Sequence, residues 1–328
     1  MYQMMSLPLY SGTFQEYDSW RDLGQELERL GCDGIEGVWG GEDLPKDLPA
    51  ELILGYHLIF YPDWLDFYRD DRAALKQKFG SLEVTASFYG GLGPDTLLEQ
   101  YRADLRRAVN LGARYVVFHV SDVSLEEGYT YRWLHTNQEV IDAAVEVVNL
   151  ILGEERWPFE FLVENQWWPG FTFTEPEETA RLLEGIRFAG KGILLDTGHL
   201  MNACTELKTE AEGADYIRRM LNRHGSLAKW VRGVHLHQSL SGAYVKAHTG
   251  SLPAGLPEDY MERFGVSYQH ILQIDQHRPW TDPAILSVLE QIEPRYLTHE
   301  LSSRGRMARA EAVSVQTRLL QQGGRMRV

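Results

Sequence analysis

Histidines and carboxylates recur in this chain where short apolar runs end. His57 ends ILGYH, His119 follows YVVF, Glu164 ends FEFLVE, and Asp196 and His199 end ILLDTGH. His235 and His237 lie in GVHLHQ, and Glu300 follows YLTH. Imidazole and carboxylate together suit zinc, manganese or iron(II). No thiolate joins the set, so a closed structural zinc site is not expected. One histidine after a strand usually means a hydrogen-bonded core residue. Here the argument rests on convergence, because several ligand-type residues would arrive at one face if the runs were neighbouring parallel strands.

Alternation along the chain predicts that arrangement. Apolar β-type runs are followed by amphipathic helical stretches throughout the 328 residues. Strands are expected at 7–10, 34–39, 52–59, 115–120, 159–164, 192–196, 231–237 and 296–301. Helices are expected at 18–30, 64–78, 95–110, 137–152, 175–186, 211–223, 282–292 and 306–320. The glycine-rich SLEVTASFYGGLGPD reads as a strand-end loop, and 239–280 as a long irregular insertion after the seventh strand. Eight strand–helix units predict an α/β chain folded as a (β/α)8 TIM barrel, with residues 1–328 forming a single domain. A barrel of this kind places its active site at the C-terminal strand ends, where these ligand types fall. A doubly wound sheet is the alternative, but no glycine-rich phosphate loop follows an early strand.

Composition narrows the partners. The formal net charge of −15 argues against a long, non-specific grip on nucleic acid. No run approaches the roughly 20 apolar residues of a membrane span, and no signal peptide opens the chain. Two cysteines, Cys32 and Cys204, form no CxxC pair, so a reduced, cytoplasmic protein is expected, with Cys32 in the core. The tail QQGGRMRV is expected to fray. Arginines on outer helices read as solvated charge, and His135, His224 and His270 as surface or loop residues.

On these residues the chain resembles the xylose-isomerase-like barrels, which include sugar isomerases, sugar epimerases and endonuclease IV. The resemblance runs from about Leu7 to Leu320, and LLDTGH is its most specific string. It implies that Glu164, Asp196, His235 and Glu300 form the ligand core shared by the isomerases and epimerases. Likeness to endonuclease IV implies up to three zinc ions. His57, His119 and Glu164 would hold the first, with Glu164 bridging to the second. His199 would hold the third together with Asp275 and His277 of IDQHRPW. Alternate residues of an extended segment point the same way, which would let that pair reach one ion. The 239–280 stretch is longer than its counterpart in endonuclease IV. Lys246-Ala247-His248 therefore offers His248 in place of His277, with Lys246 where an aspartate is expected. The loops HLIFYPDW, FHVSDV and ENQWWPGFTF also differ from the endonuclease's strings.

The resemblance implies metal-assisted chemistry on a small phosphorylated or sugar-like substrate. A multinuclear centre fits phosphoester hydrolysis. A single ion fits isomerase or epimerase chemistry, with Glu164 and Glu300 exchanging protons at neighbouring carbons. An abasic-site endonuclease and a non-catalytic binding protein are further alternatives. Trp167 and Trp168 are candidates for stacking on substrate, and Lys246 for a phosphate contact. His237, His248 and Arg278 complete the substrate-side candidates. Glu36, ending the second strand, reads as a substrate contact or, slightly preferred, a structural carboxylate. The insertion either caps the pocket or builds a subunit interface.

Overall fold

Runs rich in Val, Ile, Leu and Tyr form every strand of the sheet. These are β1 (Tyr2–Leu9), β2 (Gly34–Trp39), β3 (Ile53–His57), β4 (Tyr115–His119), β5 (Glu160–Glu164), β6 (Lys191–Asp196), β7 (Val231–His235) and β8 (Tyr296–His299). Each pairs in parallel with the next, and β8 returns to β1, so the sheet closes into a barrel. Helices follow the strands, as the (β/α)8 expectation requires. The computed structural model describes residues 1–323, so 324–328 of the tail expected to fray lie outside the described residues. Among the described residues no helix is long and apolar enough to cross a membrane.

Apolar packing has an inner and an outer part. Met4, Leu54, Tyr115, Val117, Leu162, Leu194 and Tyr296 fill the barrel interior. A larger cluster fills the layer between sheet and helices. Tyr115 lies across the interior only because residue 55 is glycine, since a Cβ there would overlap its ring. The outer helices bury one face each. In Trp20–Leu30, Leu23, Leu27 and Leu30 point inward, Ser19 caps the start by accepting from Asp22 N, and left-handed Gly31 ends the helix.

Among the segments that differ from the expectation, four do so for identifiable local reasons. β1 begins at Tyr2, five residues early, because Tyr2–Met5 pair with Tyr296–His299 of β8. The 64–78 stretch is two helices, Leu65–Tyr68 and Arg72–Phe79. Asp70 is left-handed between them, and Asp71 caps the second. Leu82–Tyr89, expected as a loop, is a helix capped by Ser81. The insertion contains helices Gly242–His248 and Tyr260–Ile274. The latter starts where Asp259 accepts from Glu262 N, a capping signal hidden in a polar stretch. It lies against the loops after β3 and β4. Phe264 meets Phe88 with ring centroids 5.4 Å apart, and His270 stacks on Tyr129 at 4.3 Å. The helix therefore lies over the end of the barrel where the ligand-type residues emerge.

Candidate metal centre

Strand register brings the ligand types together at that end. His119 of β4 is directly opposite Glu164 of β5, and Asp196 of β6 opposite His235 of β7. His57 ends β3, and Glu300 follows the last residue of β8. Three groups of donors result, each with its atoms within 4.8 Å of one another.

The first group is His57, His119 and Glu164. His57 Nδ1 lies 2.8 Å from Leu58 O, so that nitrogen donates and Nε2 turns its lone pair inward. His57 Nε2 and His119 Nε2 approach to 2.9 Å, and Glu164 Oε2 lies 3.3 and 3.0 Å from them. The two rings shift in opposite directions. Burial lowers both, but the Glu164 carboxylate outweighs it only at His57, whose pKa is raised while that of His119 is lowered.

The second group is Glu164, Asp196, His235 and Glu300. His235 Nδ1 faces three carboxylates, with Glu300 Oε2 at 2.8 Å, Glu164 Oε1 at 3.3 Å and Asp196 Oδ2 at 3.7 Å. Its Nε2 is held at 2.8 Å by Glu36 Oε1. Glu164 thus turns one oxygen to the first group and the other to the second. Although burial opposes it, the His119 and His235 rings hold Glu164 well below the usual carboxylate range.

The third group is His199, His237, Asp275 and His277. Asp275 Oδ2 lies 2.6 Å from His277 Nε2 and 3.3 Å from His199 Nε2. An extended segment does not produce this convergence. Asp275 ends the Tyr260–Ile274 helix and His277 is left-handed (φ 46°), so a tight kink aims both side chains at His199. Each imidazole's other nitrogen has a carbonyl partner, with His277 Nδ1 3.0 Å from Glu300 O and His199 Nδ1 3.0 Å from Asn165 O. Against the cost of burial, Asp275 raises His277 to about 10.

His237 sits differently. Its ring stacks on that of His277, 4.0 Å away with 5° between the planes, so their in-plane lone pairs do not converge on one ion. Its Nε2 instead donates to Asp196 Oδ2 at 2.8 Å. The LLDTGH string explains the rest of this corner. Asp196 caps the Thr197–Asn202 helix by accepting from His199 N at 2.6 Å, which places His199 on the helix's first turn. Gly198 leaves room for the His237 ring.

These donors fit divalent cations. Carboxylate oxygens and imidazole nitrogens face one another in each group, the atom types that divalent transition metals take. Asp275 Oδ1 is buried without a hydrogen-bond partner among the described residues, and so is Glu300 Oε2, whose close approach to His235 is not a hydrogen bond. Ligand imidazoles fixed through their second nitrogen are usual around bound metals.

The remaining candidates divide. Glu36 is fully buried and accepts from Tyr115 OH at 2.6 Å and Thr298 Oγ1 at 2.9 Å, so of its two readings the structure assigns it the structural one. Trp167 and Trp168 line the cavity beside His199, with Trp167 5.1 Å from that ring. Lys246 is exposed and paired with Glu206 at 2.7 Å. His248 stacks on Tyr244 and is exposed, away from the donor groups. Arg278 pairs its backbone with Gln238, and its side chain does not line the cavity. The surface or loop reading holds for His135, which lies in the loop before the Asn137–Leu152 helix, between Asp66 and Asp122. It fails for two helical histidines, since His224 is buried against Phe173 and His270, also buried, bonds Tyr244 OH. Sequence reasoning missed Asn165, whose amide clasps the backbone of Asp196 at 2.8 and 3.0 Å, and Gln166, 3.0 Å from His199 Nδ1. Their only signal was position, directly after Glu164.

Above the donors is a cavity of about 760 Å³, within the usual range for small-molecule sites. His57, His119, His199, Asp275, His277 and Glu300 form part of its lining, and the Tyr260–Ile274 helix forms one wall.

Solved structures with similar folds act on different molecules. Endonuclease IV from Thermus thermophilus superposes with a TM-score of 0.56 at 16% identity, covering 98% of this chain and 100% of that one. A D-tagatose 3-epimerase-like protein gives 0.53 at 15% identity, covering 99% and 98%. Mannonate dehydratase from Streptococcus suis serotype 2 gives 0.54 at 14% identity, covering 99% and 94%. At such identities the likeness shows the fold. No curated protein matches the chain in sequence. The family question is answered by a match over residues 25–313: the chain belongs to the xylose isomerase-like TIM barrel family.

Proposed function

We propose that this chain is a divalent-metal-dependent enzyme that hydrolyses small phosphoesters at a centre of up to three ions, zinc in the first instance, with manganese or iron(II) also suited to the donors. The observation that carries the reading is the third donor group. Asp275 Oδ2 faces both His199 and His277, beyond the four residues that a single ion would use. Glu164, with one oxygen toward each of the other groups, supplies the bridge a multinuclear centre needs.

Bound ions would supply charge stabilisation at the phosphoryl oxygens and a water-derived nucleophile at neutral pH. The chain's own residues position and shield. Glu36 and Asn165 lock His235 and Asp196. Trp167, 5.1 Å from the His199 ring, limits water around the donors. Glu300 lines the cavity and, against the cost of burial, is held well below the usual carboxylate range by His235 and His277.

Metal stoichiometry on protein purified without chelator tests this. About three equivalents, falling toward two in His199→Ala and His277→Ala, is the expected result. About one equivalent, unchanged by either substitution, sinks it. That outcome would favour a second reading, a single-metal sugar isomerase or epimerase with Glu164 and Glu300 as its acid–base pair. The completeness of the Glu164, Asp196, His235 and Glu300 group is what supports this alternative.

A further inference from the structure

We propose that the organic group of the phosphoester is aromatic, and that the cavity is a slot for its ring. This rests on the hydrolase reading above. The cavity has two unlike ends. Ionisable donors form its floor, and its walls are mostly apolar, with Phe60, Phe88, Trp168, Met261, Phe264 and Ile271 among them.

Lysine and arginine are scarce on the walls. Among the described residues no lysine lines the cavity, and its one arginine, Arg309, is paired with Glu16 and Tyr17. A sugar phosphate carries several hydroxyls, each of which loses water on entry and needs a partner. Trp167 Nε1, Trp168 Nε1, Ser267 Oγ and Arg309 Nε belong to lining residues and are buried without partners among the described residues. The two indoles and the guanidinium only donate, which suits an acceptor oxygen carried on a ring better than a polyol, whose hydroxyls also need acceptors. Nucleic acid is disfavoured by the scarcity of basic side chains, since phosphate-backbone binding draws on Lys and Arg.

The aromatics also have suitable placement. Phe60 is 49% exposed beside His119 and Met261 is 53% exposed on the opposite helix, so both keep apolar surface free for a ligand. A ring held there leaves its phosphoryl group over the donors. In the reaction a water oxygen bonds to phosphorus and the P–O bond to the ring breaks. The electron pair leaves on the aryl oxygen, which takes the proton the water gives up. The products are a phenol and inorganic phosphate.

The test is calorimetric titration of the metal-loaded protein with phenylphosphonate and methylphosphonate, neither of which can be hydrolysed at a P–O ester bond. Phenylphosphonate is expected to bind about 10- to 100-fold more tightly, the gain from burying one ring. In Phe264→Ser and in Phe60→Ser that preference shrinks several-fold, while methylphosphonate affinity, metal content and melting temperature hold. Phe60 is exposed enough that its replacement is compatible with folding even if that of Phe264 is not. Equal affinity for the two phosphonates, or tighter binding of glucose 6-phosphate than of phenylphosphonate, overturns the inference while leaving the hydrolase reading standing. Failure of both phosphonates to bind overturns the hydrolase reading and the inference with it.

Discussion

Glu36 Oε1 stands 2.8 Å from His235 Nε2, on the side away from the three carboxylates that face His235 Nδ1. The carboxylate fixes the ring's rotation and keeps Nε2 protonated, leaving Nδ1 as the ligand atom. Replacing Glu36 with Gln keeps the size and the oxygen that accepts from Tyr115, but removes the charge. Metal affinity is expected to fall about 10- to 100-fold, as is usual when the partner of a ligand histidine is lost. Competition with a graded series of chelators measures this. Unchanged affinity would show that Glu36 is only a packing residue.

Gly198 and His237 make a second prediction. A Cβ at 198 would overlap the His237 ring, and that ring has backbone and side chains on every side. Gly198→Ala is expected to destabilise by about 1–3 kcal/mol, the usual cost of overpacking a filled site. Because His237 holds Asp196 Oδ2, metal content should fall as well. Thermal melting together with metal analysis checks both. A variant that melts like the parent with its metal retained would mean the ring moves aside without cost.

The barrel was legible because its signal is repetitive. Each strand is an apolar run and each crossover helix an amphipathic one, so errors at single boundaries did not disturb the total. Ligand positions followed from the same rule, since a residue at the end of an apolar run is carried to the rim. Depth was harder to read. Glu36 also ends an apolar run, but Val38, two residues later, is the partner of His57, so Glu36 lies below the ligand layer. Pairing register decides that, and one strand's sequence does not contain it. The wall of the cavity was hidden for another reason. The Tyr260–Ile274 helix is polar on much of its surface, and Tyr268 and Met261 remain exposed, so its apolar spacing was weak. Asp275 and His277 come from the resemblance to endonuclease IV, yet they converge through a left-handed kink and not an extended run.

His248 and Lys246 separate the two assignments considered for the third donor group. Both lie on the Gly242–His248 helix, with His248 against Tyr244 and Lys246 against Glu206. Replacement of either by Ala is expected to leave metal stoichiometry unchanged, whereas His277→Ala lowers it. Elemental analysis of the three variants side by side decides. Loss of an ion from His248→Ala would transfer the ligand role to that residue.

His135 gives a prediction about pH that does not involve the metal centre. Its Nδ1 lies 2.9 Å from Asp122 Oδ2 and its Nε2 3.2 Å from Asp66 Oδ1, so the cationic ring donates to a carboxylate on each side. Hydrogen bonds to Asp122 and Asp66, against partial desolvation, raise its pKa from 6.5 to about 10. Asp66 is correspondingly held down to about 2, with His135 and Lys78 outweighing its burial. A base whose pKa is raised by folding binds its proton more tightly in the native state. Its contribution to stability is complete below the unfolded value of 6.5 and is lost as pH rises through about 10. The Asp66 share has the opposite sense, complete above its ordinary 3.8 and lost as pH falls through about 2. Urea unfolding of the parent and of His135→Gln from about pH 6 to about pH 10.5 isolates the histidine's part. The gap between the two curves is expected to be widest at the acidic end and to narrow steadily above neutrality. A gap independent of pH would mean that the ring is neutral in the folded protein and that Asp66 and Asp122 are balanced by Lys78 alone.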